Sequence, residues 1–289
     1  MNSSSATLIG FTAILMWSLL SLLTVASGTV PPFQLAAMTF AIGGGIGAAT
    51  WLFRPGAARA VKQRWQVWAL GVGGLFGYHA LYFLALRLAP PAEAQLVSYL
   101  WPVLIVLLSA FLPRERLKPQ HIAGALIALA GTMTLFAERG VTLSGAYLPG
   151  FAAALAAAFT WAIYSVLSRR FADVPSDAVA GFCLVTAALA AISHVALEQT
   201  HWPDNAVQWV AVLALGIGPV GAAFYVWDIG MKRGDIRVLG VGSYLAPLLS
   251  TLFLVLAGYA AASLTLVVAA LLIAIGGVLA AKDMLFGNA

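Results

Sequence analysis

The stretch Val97-Ser98-Tyr99-Leu100-Trp101-Pro102 (VSYLWP) returns far down the chain as Gly242-Ser243-Tyr244-Leu245-Ala246-Pro247 (GSYLAP). Both copies lie inside segments too apolar to be ordinary loops. Sliding the sequence by 145 positions places Ser98, Tyr99, Leu100 and Pro102 on Ser243, Tyr244, Leu245 and Pro247, and carries Gly131 onto Gly276 without a gap. A slide of 144 places Trp17 on Trp161 and Ser21 on Ser165. The chain therefore reads as one unit written twice, over residues 1–140 and 141–289.

The surroundings of the repeat identify its solvent. Of 289 residues, 62% are hydrophobic and 9% charged, against roughly 45–50% and 25% in a soluble domain. An apolar run of about 20 residues crosses the ~30 Å hydrocarbon layer as a helix, and helices satisfy their own backbone there. Ten such runs are expected, at about 7–26, 33–53, 65–86, 92–112, 121–137, 148–168, 178–197, 207–231, 238–258 and 264–281. The fold class is all-α integral membrane, with ten transmembrane helices.

Charge placement orients them. With an even number of spans the termini share a face, and that face collects 13 of the 15 Lys and Arg residues, leaving only Arg87 and Arg139 opposite. The positive-inside bias then puts both termini in the cytoplasm. Each half holds five spans, an odd number, so the two copies insert upside down relative to one another. Arg87 and its counterpart Lys232 fall on opposite faces as this requires. Such inverted repeats build the midplane sites of many secondary transporters.

The chemistry-bearing residues sit in a few spans. Tyr78 and Tyr82 are four apart on span three, with His79 beside them. A midplane histidine is expensive in lipid, so it faces a cavity or a protein partner, and it is the central group that titrates near neutral pH. The repeat sets Phe224 against His79 and Trp227 against Tyr82. With Trp17, Tyr99, Trp101 and Trp161 these rings are expected to line a central cavity, where ring faces offer an ammonium about 0.5–2 kcal/mol each. Trp65, Trp68, Trp202 and Trp209 are expected to be interfacial anchors. Pro102 and Pro247 should kink spans four and nine and serve as gating points, with Ser98, Tyr99, Ser243 and Tyr244 just before the bends. Ser165 belongs to the same set through its match to Ser21. Gly43 with Gly47, and Gly73 with Gly77, fit small-residue helix contacts.

Other chemistries find no support. Gly216–Gly221 (GIGPVG) matches a dinucleotide motif in letters only, because no strand precedes it. No metal-ligand spacing, cofactor motif or catalytic constellation is present, so an intramembrane enzyme lacks its machinery. The +5 charge lies in short loops and reflects topology rather than nucleic acid. Cys183 stands alone, so no disulfide forms within the chain. The expected partners are a small-molecule substrate and the lipid bilayer, and nothing requires a second copy.

Ten spans in a five-plus-five repeat, Trp17 and Trp161 in the first helix of each half, and a closing helix rich in glycine (Gly124, Gly131; Gly276, Gly277) resemble the EamA-type exporters of the drug/metabolite transporter superfamily. GYHALYF at 77–83 and SYLWP at 98–102 are similar to the aromatic clusters of amino acid exporters in that family. The resemblance covers the whole chain. It implies export of aromatic or neutral amino acids and related metabolites across the bacterial inner membrane by alternating access, with other small organic metabolites or drugs as the alternative. Small multidrug members of the superfamily rely on a carboxylate in their first helix, and span one has none.

Overall fold

In a computed structural model of the chain, all residues are described except 55, 114–116, 138–143, 259–260 and 283–289. The boundary between positions 140 and 141, and Arg114, Arg116 and Arg139 of the charge count, lie outside the described residues. Among those described there is no strand. Nine helices are long and apolar enough to cross a membrane: Ser3–Ala26, Pro32–Phe53, Trp65–Leu88, Pro91–Ser109, Pro119–Ala137, Gly145–Phe171, Ala178–Leu197, Ala206–Arg233 and Ile236–Leu256. Leu264–Ala280 is a shorter apolar tenth. These are spans one to ten, and the fold is the expected pair of inverted five-helix repeats.

The ends follow from local chemistry. Asn2 Oδ1 accepts from Ser5 N at 2.8 Å and starts span one four residues earlier than its apolar run. Asn205 caps span eight and Ser263 caps span ten in the same way. Proline opens spans two and four, where its missing N–H is harmless. Spans one and nine end with Gly28 (φ 76°) and Gly258 (φ 79°) just beyond the last turn, a left-handed position that glycine takes without strain.

Three spans are interrupted. Spans four and nine break at Tyr99–Leu100 and at Ser243–Tyr244. Each break lies just upstream of its proline, because Pro102 and Pro247 cannot donate to the carbonyls four residues back, at Ser98 and Ser243. Ser243 O accepts instead from Ala246 N at 3.1 Å. Span one breaks at Ser18–Leu19, where Ser18 Oγ donates to Leu15 O at 2.6 Å. Its repeat partner, span six, runs unbroken through the related positions.

Spans three and eight each carry a π-turn, at Gly73–Gly77 and Gly218–Ala222. The two lie at the offset of 145 that aligns the Ser-Tyr-Leu-x-Pro motifs. The wider turn shifts the phase of the helix, which corrects the expected packing role of Gly73. A Cβ there meets nothing within 4 Å, whereas one on Gly74 would come within 2.4 Å of Tyr164.

The halves interlock rather than sit side by side. Span one packs on span eight, three on six, two on seven, four on nine and five on ten. Exchanging the halves turns this set of pairs into itself, as a two-fold relation demands. Spans five and ten meet backbone to backbone: a Cβ on Gly124 would lie 2.6 Å from Gly276 O, and one on Gly276 would lie 2.5 Å from Gly124 O. Spans two and seven are tied at both ends. Arg54 pairs with Asp177 at 2.6 Å, and the Glu198 carboxylate accepts from Phe33 N and Gln34 N at 3.1–3.2 Å. An acid at a helix N-terminus also meets the positive end of its dipole.

Replacing Gly124 by Leu should cost about 1–3 kcal/mol through overpacking, read as earlier thermal unfolding in detergent. Gly277→Ala, which meets open space, should leave the transition in place. A second expectation concerns Asp235, the cap of span nine. Burial disfavours its carboxylate, but the Arg237 side chain and the backbone N–H groups of Val238 and Arg237 outweigh that and hold its pKa below the usual value. Its stabilisation is therefore present above the unfolded pKa of about 3.9 and fades as pH falls through the folded value. Asp235→Ala should remove about 1 kcal/mol at neutral pH and flatten the acid limb of a stability-against-pH curve.

Candidate functional site

Four tryptophans from four spans meet where the halves join. Trp17 lies 4.9 Å from Trp227, 5.6 Å from Trp161 and 6.3 Å from Trp101, measured between ring centroids. Phe224 sits 5.8 Å from Trp161 and stacks on Phe40 at 5.4 Å. Most of these pairs are tilted or edge-on, the arrangement that ring quadrupoles favour. Two of the four indole N–H groups find acceptors. Trp227 Nε1 donates to Ser165 Oγ at 3.1 Å, and Trp17 Nε1 donates to Pro219 O at 3.0 Å. The second acceptor is a carbonyl of the π-turn in span eight.

Span three supplies the polar edge of this cluster. Tyr78 and Tyr82 stack with 6.0 Å between centroids, and Tyr78 also tilts onto Trp161 at 5.5 Å. The buried Ser98 side chain lies beside the Tyr78 hydroxyl. His79 Nδ1 donates to Leu75 O at 2.7 Å, again a carbonyl of a π-turn. That bond places a proton on Nδ1, so Nε2 is the acceptor whenever the ring is neutral, and Nε2 has no hydrogen-bond partner among the described residues. Phe40 presents its ring at right angles to the imidazole at 5.1 Å.

Not every expected residue joins the cluster. Tyr99 packs on Phe136 at 5.8 Å. Tyr244 is fully buried among Val103, Val106, Val241 and Ile273, and Ser243 Oγ donates to Leu239 O within its own helix. Pro102 and Pro247 are buried beside the breaks. The expected central chamber is also revised, because the tryptophans fill the middle by touching one another, leaving Trp17, Tyr78, His79 and Tyr82 half-buried at its margin. Trp65 and Trp202 are exposed as anchors should be, but Trp68 turns inward, donating to Val61 O at 3.2 Å and packing edge-on against Phe182. Two members escaped the sequence reading. Phe40 gave no signal, while Tyr164, 5.2 Å from Trp161, lies one helical turn beyond it.

Burial breaks the two-fold relation. Phe224, Trp227, Met231 and Tyr244 are sealed, at 0–4% exposure. Their first-half counterparts His79, Tyr82, Leu86 and Tyr99 are half-buried. The sealed set lies beside Lys232 and Arg233, on the face of the basic loops; the looser set lies beside Arg87, on the opposite face. Span one obeys the same rule, with Ala6, Thr7 and Gly10 buried near its start and no buried residue in Leu20–Ala26. The structure is closed on one face and loosened on the other.

Known proteins share both sequence and shape. The model of the EamA-like transporter family matches residues 4–137 and again 148–281. The chain is 61% identical over 279 residues to the aromatic amino acid exporter YddG of Ancylobacter novellus, covering 96% of each. It is 26% identical to the protein of the same name in Salmonella typhimurium, over 87% of this chain and 88% of that one. A solved crystal structure, 59% identical, superposes with a TM-score of 0.93 over 97% of this chain and 99% of the other. Two matches to one family model, one for each five-helix repeat, place this chain in the EamA-like transporter family.

Proposed function

We propose that the chain is a secondary carrier exporting aromatic and other neutral amino acids across the bacterial inner membrane by alternating access. The observation that carries this reading is the uncharged aromatic margin at the junction of the halves. Trp17, Tyr78, His79 and Tyr82 offer ring faces, hydroxyls and an imidazole acceptor, and the cluster itself holds no Lys, Arg, Asp or Glu among the described residues to retain a zwitterion. Contacts of this kind are worth roughly 0.5–2 kcal/mol each, weak enough to release cargo. The names of the relatives in Ancylobacter and Salmonella point to the same cargo.

In this reading Trp101, Trp161, Ser165, Phe224 and Trp227 back the site, while Ser98, Tyr99, Ser243 and Tyr244 lie at the breaks that Pro102 and Pro247 impose on spans four and nine. The bodies that rock are the halves 1–140 and 141–289, with the basic loops and both termini in the cytoplasm. One copy of the chain contains both halves of the path.

Proteoliposomes preloaded with unlabelled phenylalanine should accumulate labelled phenylalanine, tryptophan and tyrosine by counterflow, and lysine or glutamate should compete poorly. Counterflow indifferent to the side chain would instead favour a broad metabolite exporter. Tyr82→Ala should cut the initial rate by about ten-fold or more, equivalent to ~1.4 kcal/mol of lost interaction, with thermal stability retained. A His79→Gln carrier that keeps its rate and its response to a pH gradient would remove His79 from any coupling role. Thiol labelling of intact cells should reach a cysteine at Thr200 and miss one at Gln63; the reverse pattern would invert the topology.

A further inference from the structure

The closed face holds polar groups that neither the repeat nor the aromatic cluster explains. Lys232 and Asp228, on the last turn of span eight, are paired at 2.8 Å with side chains only 6% and 3% exposed. Both reach across to the connection between spans six and seven. Lys232 Nζ donates to Val174 O at 2.8 Å, and Ser176 Oγ donates to the Asp228 carboxylate at 2.5 Å. Arg169, at the end of span six, donates to Met231 O and Gly234 O at 3.1 and 2.7 Å, covering the C-terminal carbonyls of span eight. Beside the pair is a void of about 20 Å³ lined by Tyr164, Ser168, Asp228 and Lys232. The Tyr164 hydroxyl is buried there without a hydrogen-bond partner among the described residues.

The related position on the other face is built differently. Arg87 occupies the place of Lys232, but its side chain is 47% exposed and reaches Glu198 only at 3.4 Å. Phe83 stands where the repeat would put Asp228. A buried, multiply bonded ion pair resists separation because each charge, once parted, lacks compensation until water reaches it.

We propose that Asp228 and Lys232, with Ser176, Val174 and Arg169, form a lock that keeps the carrier closed on the face of the basic loops. The weaker pairing at Arg87 makes this closed state the resting one. For that face to open, the last turn of span eight must leave the six–seven connection, and entering water then hydrates both charges and the Tyr164 hydroxyl. The role in transport rests on the exporter reading; the lock itself does not.

The test uses full-length protein in detergent, with Ser168→Cys as reporter and Cys183→Ala as background, so that Ser168, 4% exposed, is the one thiol position. The rate of labelling by a polar maleimide reports opening. Asp228→Asn parts the pair and leaves Lys232 buried without its counter-ion in the closed state, and should raise the rate by at least about ten-fold. Ser176→Ala, a milder change that guards against misfolding of the first variant, should raise it about three-fold. Rates within about two-fold of the parent in both variants, with unfolding transitions intact, would overturn the lock. Faster labelling together with absent amino acid counterflow would leave the lock standing and defeat the exporter reading.

Discussion

Hydrocarbon offers no hydrogen bonds, so each carbonyl that a bent helix exposes must find a donor within the protein. Much of the interior organisation follows from that constraint. The prolines of spans four and nine, and the π-turns of spans three and eight, give up regular helical bonding. At both π-turns a displaced carbonyl is taken by a side chain of the aromatic cluster. Leu75 O accepts from His79, and Pro219 O accepts from Trp17 across the junction of the halves. The irregular backbone thus orients rings of the aromatic cluster.

The two-fold relation gives the molecule two descriptions of one mechanism. Glycine contacts such as Gly124 with Gly276 bring paired spans to backbone distance. Burial then distinguishes the copies: Trp227 and Met231 are sealed where Tyr82 and Leu86 are not. A state of the opposite sense needs no new type of contact, since each half can adopt packing that its twin already shows. Charges set the difference between the faces, because the buried pair at Asp228 and Lys232 has no equivalent at Phe83 and Arg87.

Much of this was legible in the sequence because the bilayer imposes long apolar runs and the repeat supplies an internal alignment. Span limits came within a few residues, and the breaks at Pro102 and Pro247 followed from a missing N–H. The π-turns were not legible. GVGG and GIGP look like ordinary small-residue packing until the added residue moves the contact from Gly73 to Gly74. The interruption at Ser18 has neither proline nor glycine to announce it. Among the site residues, convergence of Trp17, Trp101, Trp161 and Trp227 was visible from their depth in the spans, but whether they would frame an empty chamber or touch depends on rotamers. Tyr244 illustrates the limit: the repeat aligns it with Tyr99, yet it is buried among aliphatic side chains while its twin is half-buried beside Phe136.

The tryptophan cluster has an optical consequence. Indoles whose centres lie 4.9–6.3 Å apart couple their excited states, so the near-ultraviolet circular dichroism of the folded protein carries a contribution from the relative orientation of rings in both halves. Any rotation of one half against the other alters that coupling. The molecule therefore contains its own spectroscopic gauge of interdomain geometry, independent of attached dyes or spin labels.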